Sequence, residues 1–183
     1  MANQIEITIS GVGGQGSVTC GNLIAKGAAI HDHKKATLSS EYGVETRGTF
    51  AKSDVIISDD EIYFPDVTEP NLIICLHEKA YERYCGHMDP KAIMIYNSDV
   101  IQANEAYADQ EKGIPITQLA KELGNPAVIN ILTMGIIVGY TNCISVEAAK
   151  QSIRLFFEGK ENLIDLNFRA FDLGVEEGKK QIQ

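Results

Sequence analysis

The chain is poor in cysteine and in positive charge, and each shortage removes a class of function. Its four cysteines, Cys20, Cys75, Cys85 and Cys143, stand far apart with no Cys-x-x-Cys pair among them, which is not the spacing of an iron–sulfur cluster or a structural zinc. Cys20 and Cys75 lie in apolar segments, where a reduced cysteine serves as a small hydrophobe. Sixteen lysines and arginines face 25 aspartates and glutamates, a net charge of -9. That field repels phosphate-bearing polymers, so nucleic acid is not expected as a partner, and any smaller anion must be met by a local device. Long apolar runs are also missing. The longest, Ala127 to Tyr140, is broken by Asn130 and Thr133 and falls short of the roughly 20 apolar residues of a membrane span. Met1-Ala2-Asn3-Gln4 lacks the basic cluster and apolar stretch of a secretory signal, and a cytoplasmic location is expected.

What is present suits one folded unit. At 183 residues, 44% of them hydrophobic and 22% charged, a single core can bury roughly 70% of the unfolded chain's surface. Residues 1–183 are expected to form one domain with no metal or disulfide holding it. His31 and His33 are two apart on a helical stretch and face different directions, so no metal site is expected there.

Gln4 to Ser10 alternates, with Ile5, Ile7 and Ile9 on one side, and predicts a strand. The cluster Gly11-Val12-Gly13-Gly14-Gln15-Gly16 follows, and Ser17 is expected to cap a helix with Leu23, Ile24 and Ala28 on its inner face. A short strand over Ala36 to Ser39, an aperiodic polar loop over 41–49 and a strand over Phe50 to Ser58 come next. Asn71 to Leu76 and Ala92 to Tyr96 are wholly apolar runs separated by a helical stretch, Glu78 to Tyr84, the pattern of a parallel sheet covered on both faces. From Ile116 the periodicity is helical: Thr117 to Leu123, Ala127 to Tyr140, Ser145 to Phe157, and Asn162 to Glu177. The expected fold class is α/β: a Rossmann-like three-layer domain with a mostly parallel sheet and a helical C-terminal third.

Gly11, Gly13 and Gly16 fit the G-x-G-x-x-G fingerprint in the strand–turn–helix setting it requires. Such a turn admits positive φ and close approach, and the free N–H groups of the following helix attract an anion. The same turn also serves merely to seat a helix against a strand. The fingerprint further needs an acid after the second strand, where Ser39 and Ser40 stand and Glu41 comes slightly late. A stand-alone nucleotide-binding oxidoreductase built on Gly11 to Gly16 is therefore the alternative reading.

Gly13-Gly14-Gln15-Gly16, then Tyr42-Gly43-x-Glu45-x-Arg47-Gly48, then Ser53-x-Val55-x-Ile57-Ser58-Asp59 and Pro65 together resemble the gamma subunit, or gamma domain, of the 2-oxoacid:ferredoxin (acceptor) oxidoreductases. The likeness continues through Pro70-Asn71-Leu72 and the 127–139 segment. Val44 and Thr49 depart from it, standing where relatives often have proline and a second glycine. The text of both later motifs is most similar to the 2-oxoglutarate type.

The resemblance implies a subunit of an enzyme that oxidatively decarboxylates a 2-oxoacid, with coenzyme A, to an acyl-CoA and reduced ferredoxin or flavodoxin. It implies alpha and beta partner subunits and, as a further partner, a ferredoxin-like delta subunit. Thiamine diphosphate, magnesium and iron–sulfur clusters would sit on those subunits, and this chain would bind none of them alone. On this view Gly11, Gly13, Gly14, Gln15, Gly16 and Arg47 are the candidate phosphate or coenzyme A ligands. Tyr42, Gly43, Glu45 and Gly48 are candidate loop or interface residues, and no residue here is assigned catalysis. Arg47 offers a planar five-donor group suited to a carboxylate or phosphate, with an ion pair to Glu45 or Glu41 as its structural alternative. Either the 41–50 loop or the 127–140 helix is expected to meet partner chains, unless the helix is simply core.

Overall fold

Alternation in the first strand sets the plan of the molecule. In the computed structural model, which describes residues 4–43 and 48–182, β1 (Gln4–Val12) turns Ile7 and Ile9 fully inward on one face and Thr8 and Ser10 onto the other. The remaining strands are β2 (Lys35–Tyr42), β3 (Phe50–Ser58), β4 (Leu72–Cys75), β5 (Ile93–Asn97) and β6 (Glu111–Ile114). They form one sheet in the order β2-β3-β1-β4-β5-β6. Pairs on the β4 side of β1 are parallel, whereas β1–β3 and β3–β2 are antiparallel. Five strands thus point one way and β3 alone is reversed.

Among the described residues there are six α-helices: α1 (Ser17–Lys26), α2 (Glu78–Tyr84), α3 (Ile116–Glu122), α4 (Ile129–Thr141), α5 (Val146–Phe156) and α6 (Glu161–Lys180). Side chains from α1 and α3 to α6 share one continuous core with Ile7, Ile9, Val55, Ile57, Leu72 and Ile74. On the opposite face α2 buries Ala80 and Tyr81 against Ile73, Cys75 and Met94. The three layers follow from these two apolar faces. The second face also carries buried polar groups, which are paired except for Glu111 Oε1. Thr8 Oγ1 donates to Asp54 Oδ1 at 2.7 Å, Lys52 Nζ lies 2.7 Å from Asp54 Oδ2, and the Tyr81 hydroxyl donates to Glu111 Oε2 at 2.8 Å.

The structure revises three sequence expectations. β2 runs to Tyr42 instead of stopping at Ser39, because β3 gives it a partner at every residue. β6 was not expected, since Glu-Lys-Gly-Ile carries no apolar alternation; its pairing with β5 supplies what pattern does not. The 127–140 helix begins with a separate turn over Pro126–Val128, and α4 proper starts at Ile129.

Residues Ile131 through Gly139 of α4 are all buried within this chain, so that helix is core. Its neighbour is α6, and the two approach through glycine. A Cβ built on Gly135 would lie 2.2 Å from the Phe171 carbonyl oxygen, and one on Gly174 would lie 2.2 Å from that of Leu132. Gly139 and Gly178 repeat the arrangement one turn on. Two G-x-x-x-G faces therefore interlock, the small-residue device that lets helix backbones come into contact. Among the described residues no helix is long and apolar enough to cross a membrane.

Three cysteines lie inside this packing. Cys20, Cys75 and Cys143 are buried and Cys85 is half-buried. Loss of hydration pushes the Cys20 and Cys143 thiols up and raises Cys75 from 9.0 to about 12. A thiol-specific disulfide reagent at pH 8 should therefore react with at most one thiol in the native chain and with all four after denaturation. Since the folded pKa values lie above the unfolded one, the associated stability is intact below pH 9. It is lost as pH rises toward 12, because the unfolded chain then releases protons that the folded chain retains. Three or four fast-reacting native thiols would contradict this burial.

Candidate functional site

The turn after β1 needs left-handed backbone, and glycine supplies it. Gly14 has φ 101° and Gly16 has φ 78°, conformations that cost little without a Cβ. At Gly16 space is also short: a Cβ there would lie 2.7 Å from the Asn130 Cβ of α4. The turn is tied down by backbone bonds, Gly13 N–H to the Thr49 carbonyl at 2.9 Å and Gln15 N–H to the Val12 carbonyl at 3.2 Å. It delivers the chain directly into α1.

Gly13, Gly14, Gly16, Ser17, Val18 and Thr19 form one wall of a cleft of about 410 Å³, and Tyr42, Gly43, Thr49 and Ala51 contribute the other. Sequence-predicted residues from two distant segments thus meet in one place, because β3 lies between β1 and β2 and brings Tyr42 alongside Ala51 and Gly11. The lining contains no Asp, Glu, His, Lys or Cys among the described residues. Its polarity comes from the start of α1. Gly16, not the expected Ser17, stands at the N-cap, because the chain enters α1 from a left-handed turn; no side chain caps that helix and its first turn holds no acid, so the N–H groups of Ser17, Val18 and Thr19 are the unsatisfied donors of a helix start. They carry roughly +0.5 of a unit charge between them. The arrangement can hold an anion, and it contains no acid, base or nucleophile with which to transform one.

Other predicted site residues have different places. Gly11 lies buried in β1, where a Cβ would come 2.5 Å from Gln15 Oε1. That room is used by Gln15, whose Oε1 accepts from Val12 N–H at 2.9 Å and whose Nε2 donates to the Leu76 carbonyl at 3.0 Å. Gln15 therefore clamps β1 to the end of β4, and it is not among the residues lining the cleft. Gly48, at φ 74°, is exposed, and its carbonyl accepts from Lys79 Nζ at 2.9 Å. Glu45 and Arg47 lie outside the described residues. Glu41 does not complete a dinucleotide fingerprint. It sits on the face of β2 that pairs with Lys52 of β3, 3.9 Å from that ammonium, and it is absent from the cleft lining. Sequence reading missed Val18, Thr19 and Ala51 as lining residues; their only signal was position, one turn into a helix or opposite a glycine.

The family model described as pyruvate ferredoxin/flavodoxin oxidoreductase matches residues 6–177. The chain belongs to that family. Subunit KorC of 2-oxoglutarate synthase from Methanocaldococcus jannaschii is 33% identical to it over 179 residues, covering 96% of this chain and 94% of its own. The keto/oxoacid ferredoxin oxidoreductase gamma subunit of Geobacter sulfurreducens superposes with a TM-score of 0.80 at 30% identity, over 98% of both chains. A 2-oxoglutarate:ferredoxin oxidoreductase from Magnetococcus marinus shares the fold, with a TM-score of 0.89 at 23% identity, over 98% of this chain and 32% of its own. The resemblance first visible in the motifs thus holds along nearly the whole chain, and the mostly parallel α/β sheet is the fold of its gamma-subunit relatives.

Proposed function

We propose that this chain is the gamma subunit of a 2-oxoacid oxidoreductase of the 2-oxoglutarate type, and that its glycine-turn cleft receives the phosphate-bearing end of coenzyme A. One observation carries the proposal: an uncapped helix start opens into a cleft whose lining, among the described residues, holds no carboxylate, in an otherwise acidic protein. Substrate choice rests on the KorC relatives, which are named as subunits of 2-oxoglutarate synthase.

The part played by this chain is positional. The Ser17, Val18 and Thr19 amides would hold a phosphate by charge-assisted hydrogen bonds. Gly14 and Gly16, lacking side chains, leave the backbone open to it. Tyr42 and Gly43 form the outer rim; Arg47 is proposed on its chemistry as a second anion-binding arm, and Glu45 and Gly48 as loop or interface residues. Among the described residues no three His, Cys, Asp or Glu side chains converge as a metal-ligand set. The four cysteines, three buried in separate elements, do not fit an iron–sulfur cluster. Thiamine diphosphate, which supplies the decarboxylation chemistry when bound, is accordingly assigned with magnesium and the clusters to the alpha, beta and delta partners, with ferredoxin or flavodoxin as the acceptor. The chain would act as one domain of a cytoplasmic assembly.

Calorimetry on the assembled enzyme tests the cleft. Coenzyme A should bind at least tenfold more tightly than pantetheine, which has the thiol arm and no phosphate. Equal affinities would place the phosphates elsewhere. Failure of the chain to co-purify with alpha and beta subunits would remove the subunit reading itself. Heat on titrating the isolated chain with NAD, NADP or FAD would favour the stand-alone alternative.

A further inference from the structure

β2 is the outermost strand of the sheet and is paired with β3 along all eight of its residues, from Lys35 opposite Ser58 to Tyr42 opposite Ala51. Its other edge has no backbone partner among the described residues. Proteins commonly blunt such an edge with charged side chains, proline, a bulge or a covering segment; β2 contains no proline and pairs in unbroken register, and its two charges, Lys35 and Glu41, are of opposite sign. The surroundings are apolar for a surface. Leu38 and Tyr42 on the strand are 38% and 72% exposed, and Tyr63 and Phe64 are 92% and 60% exposed. The last two are held beside β2 by the Lys35–Glu61 ion pair at 2.8 Å and by the Thr37 hydroxyl, which donates to the Pro65 carbonyl at 3.3 Å.

We propose that β2 pairs antiparallel with β2 of a second copy of this chain, about a two-fold axis at Leu38, to give one sheet continuous across two copies. The occupant is argued from the strand's own charge pattern. With Leu38 opposite Leu38, Thr37 meets Ser39, Ala36 meets Ser40, and Lys35 meets Glu41 of the second copy, each pair occurring twice as a two-fold contact requires. Lys35 and Glu41 lie on the same face of the sheet, opposite Ser58 and Lys52 of β3. Within one copy Lys35 already touches Glu61, and Glu41 lies 3.9 Å from Lys52. Dimer formation thus joins two half-networks into a row of alternating sign: Glu61, Lys35, then Glu41 and Lys52 of the second copy. A slip of two residues along the strand puts Glu41 opposite Thr37 and Lys35 opposite Gly43, and both ion pairs are lost. Parallel pairing in register would set Lys35 beside Lys35. Only the antiparallel register through Leu38 satisfies the charges and covers the leucine. A two-fold axis normal to the sheet also brings both copies of the Tyr63–Phe64 segment to the same face. The inference is independent of what the glycine cleft binds.

Cross-linking of the full chain tests the register. Directly opposed residues of an antiparallel pair have Cα atoms about 4.5–5.5 Å apart, within the roughly 4.4–6.8 Å that a disulfide spans. Leu38→Cys should therefore give a disulfide dimer on mild oxidation, at least tenfold faster than Ser39→Cys, whose two copies stand about 7–8 Å apart on the diagonal. The unsubstituted chain, with its four native cysteines, is the background control. In sedimentation equilibrium the unsubstituted chain should dimerise, and Lys35→Glu should weaken the dimer about tenfold. The double exchange Lys35→Glu with Glu41→Lys should restore it. A chain that stays monomeric in solution, Leu38→Cys and Ser39→Cys linking at equal rates, or a dimer indifferent to Lys35→Glu would each overturn the proposal.

Discussion

Gly174→Ala should lower the melting temperature by roughly 6–12 °C, taking about 3 kcal/mol as the loss and 2–4 °C per kcal/mol for a domain of this size. The sign is the informative part. At an exposed helix position the same change gains about 1 kcal/mol, because alanine is the better helix former. Here the added carbon would lie 2.2 Å from the Leu132 carbonyl oxygen and 2.9 Å from the Gly135 Cα. Both are backbone atoms and cannot swing aside as a side chain would. The helices must separate along their whole contact, which loosens Gly139 against Val175 and Gly178 against Ile136. Overpacking of this kind outweighs the propensity gain. Gly135→Ala should act alike, and the double substitution should cost less than the sum, since the first has already parted the helices. Thermal unfolding followed by circular dichroism measures all three. An unchanged or raised melting temperature for Gly174→Ala would show that the interface gives way at no cost.

Thr19→Glu should raise the KM for coenzyme A in the assembled enzyme by about 50-fold while leaving the KM for the 2-oxoacid within twofold. A carboxylate about 6 Å from a bound phosphate repels it by roughly 2–3 kcal/mol at an effective dielectric constant near 20, and each 1.4 kcal/mol is a factor of about ten. The substitution separates binding from folding. An acid in the first turn of a helix interacts favourably with the dipole, and α1 has none there, so the melting temperature should hold or rise slightly. Thr19 is only partly buried, which leaves the longer side chain room. If both KM values move together, or neither moves, the cleft does not hold the coenzyme's phosphate.

Local chemistry made much of this legible. The glycine run after an alternating strand announced the β1–turn–α1 unit, and the wholly apolar Leu-Ile-Ile-Cys of β4 announced a strand buried on both faces. The reversal of β3 was not legible, because its β-branched residues read the same in either direction. That reversal decides the site, since it sets Tyr42 across the cleft from the α1 start and leaves Glu41 beside Lys52. Gln15 shows the opposite failure. Its place in a glycine loop suggested a ligand, yet a side chain three residues from a strand end is also well placed to bond that strand, and it does so, to Val12 N–H and the Leu76 carbonyl. The glycine spacings 135/139 and 174/178 were in plain view, but their meaning depends on the two helices meeting, which no single segment encodes.

The reversed strand also orders the events of folding. β2 and β3 pair over separations of 9 residues, Tyr42 with Ala51, to 23, Lys35 with Ser58. β4 reaches β5 across 21, Leu72 with Ile93, and β5 reaches β6 across 17, Met94 with Glu111. β1 must close 38 to 54 residues to meet β3, and 65 to meet β4, as Ile7 does with Leu72. Loop-closure entropy grows with separation, and long-range strand pairing is correspondingly slow. Closure entropy thus favours the two local sheet fragments ahead of their junction, with β1 seated between them last.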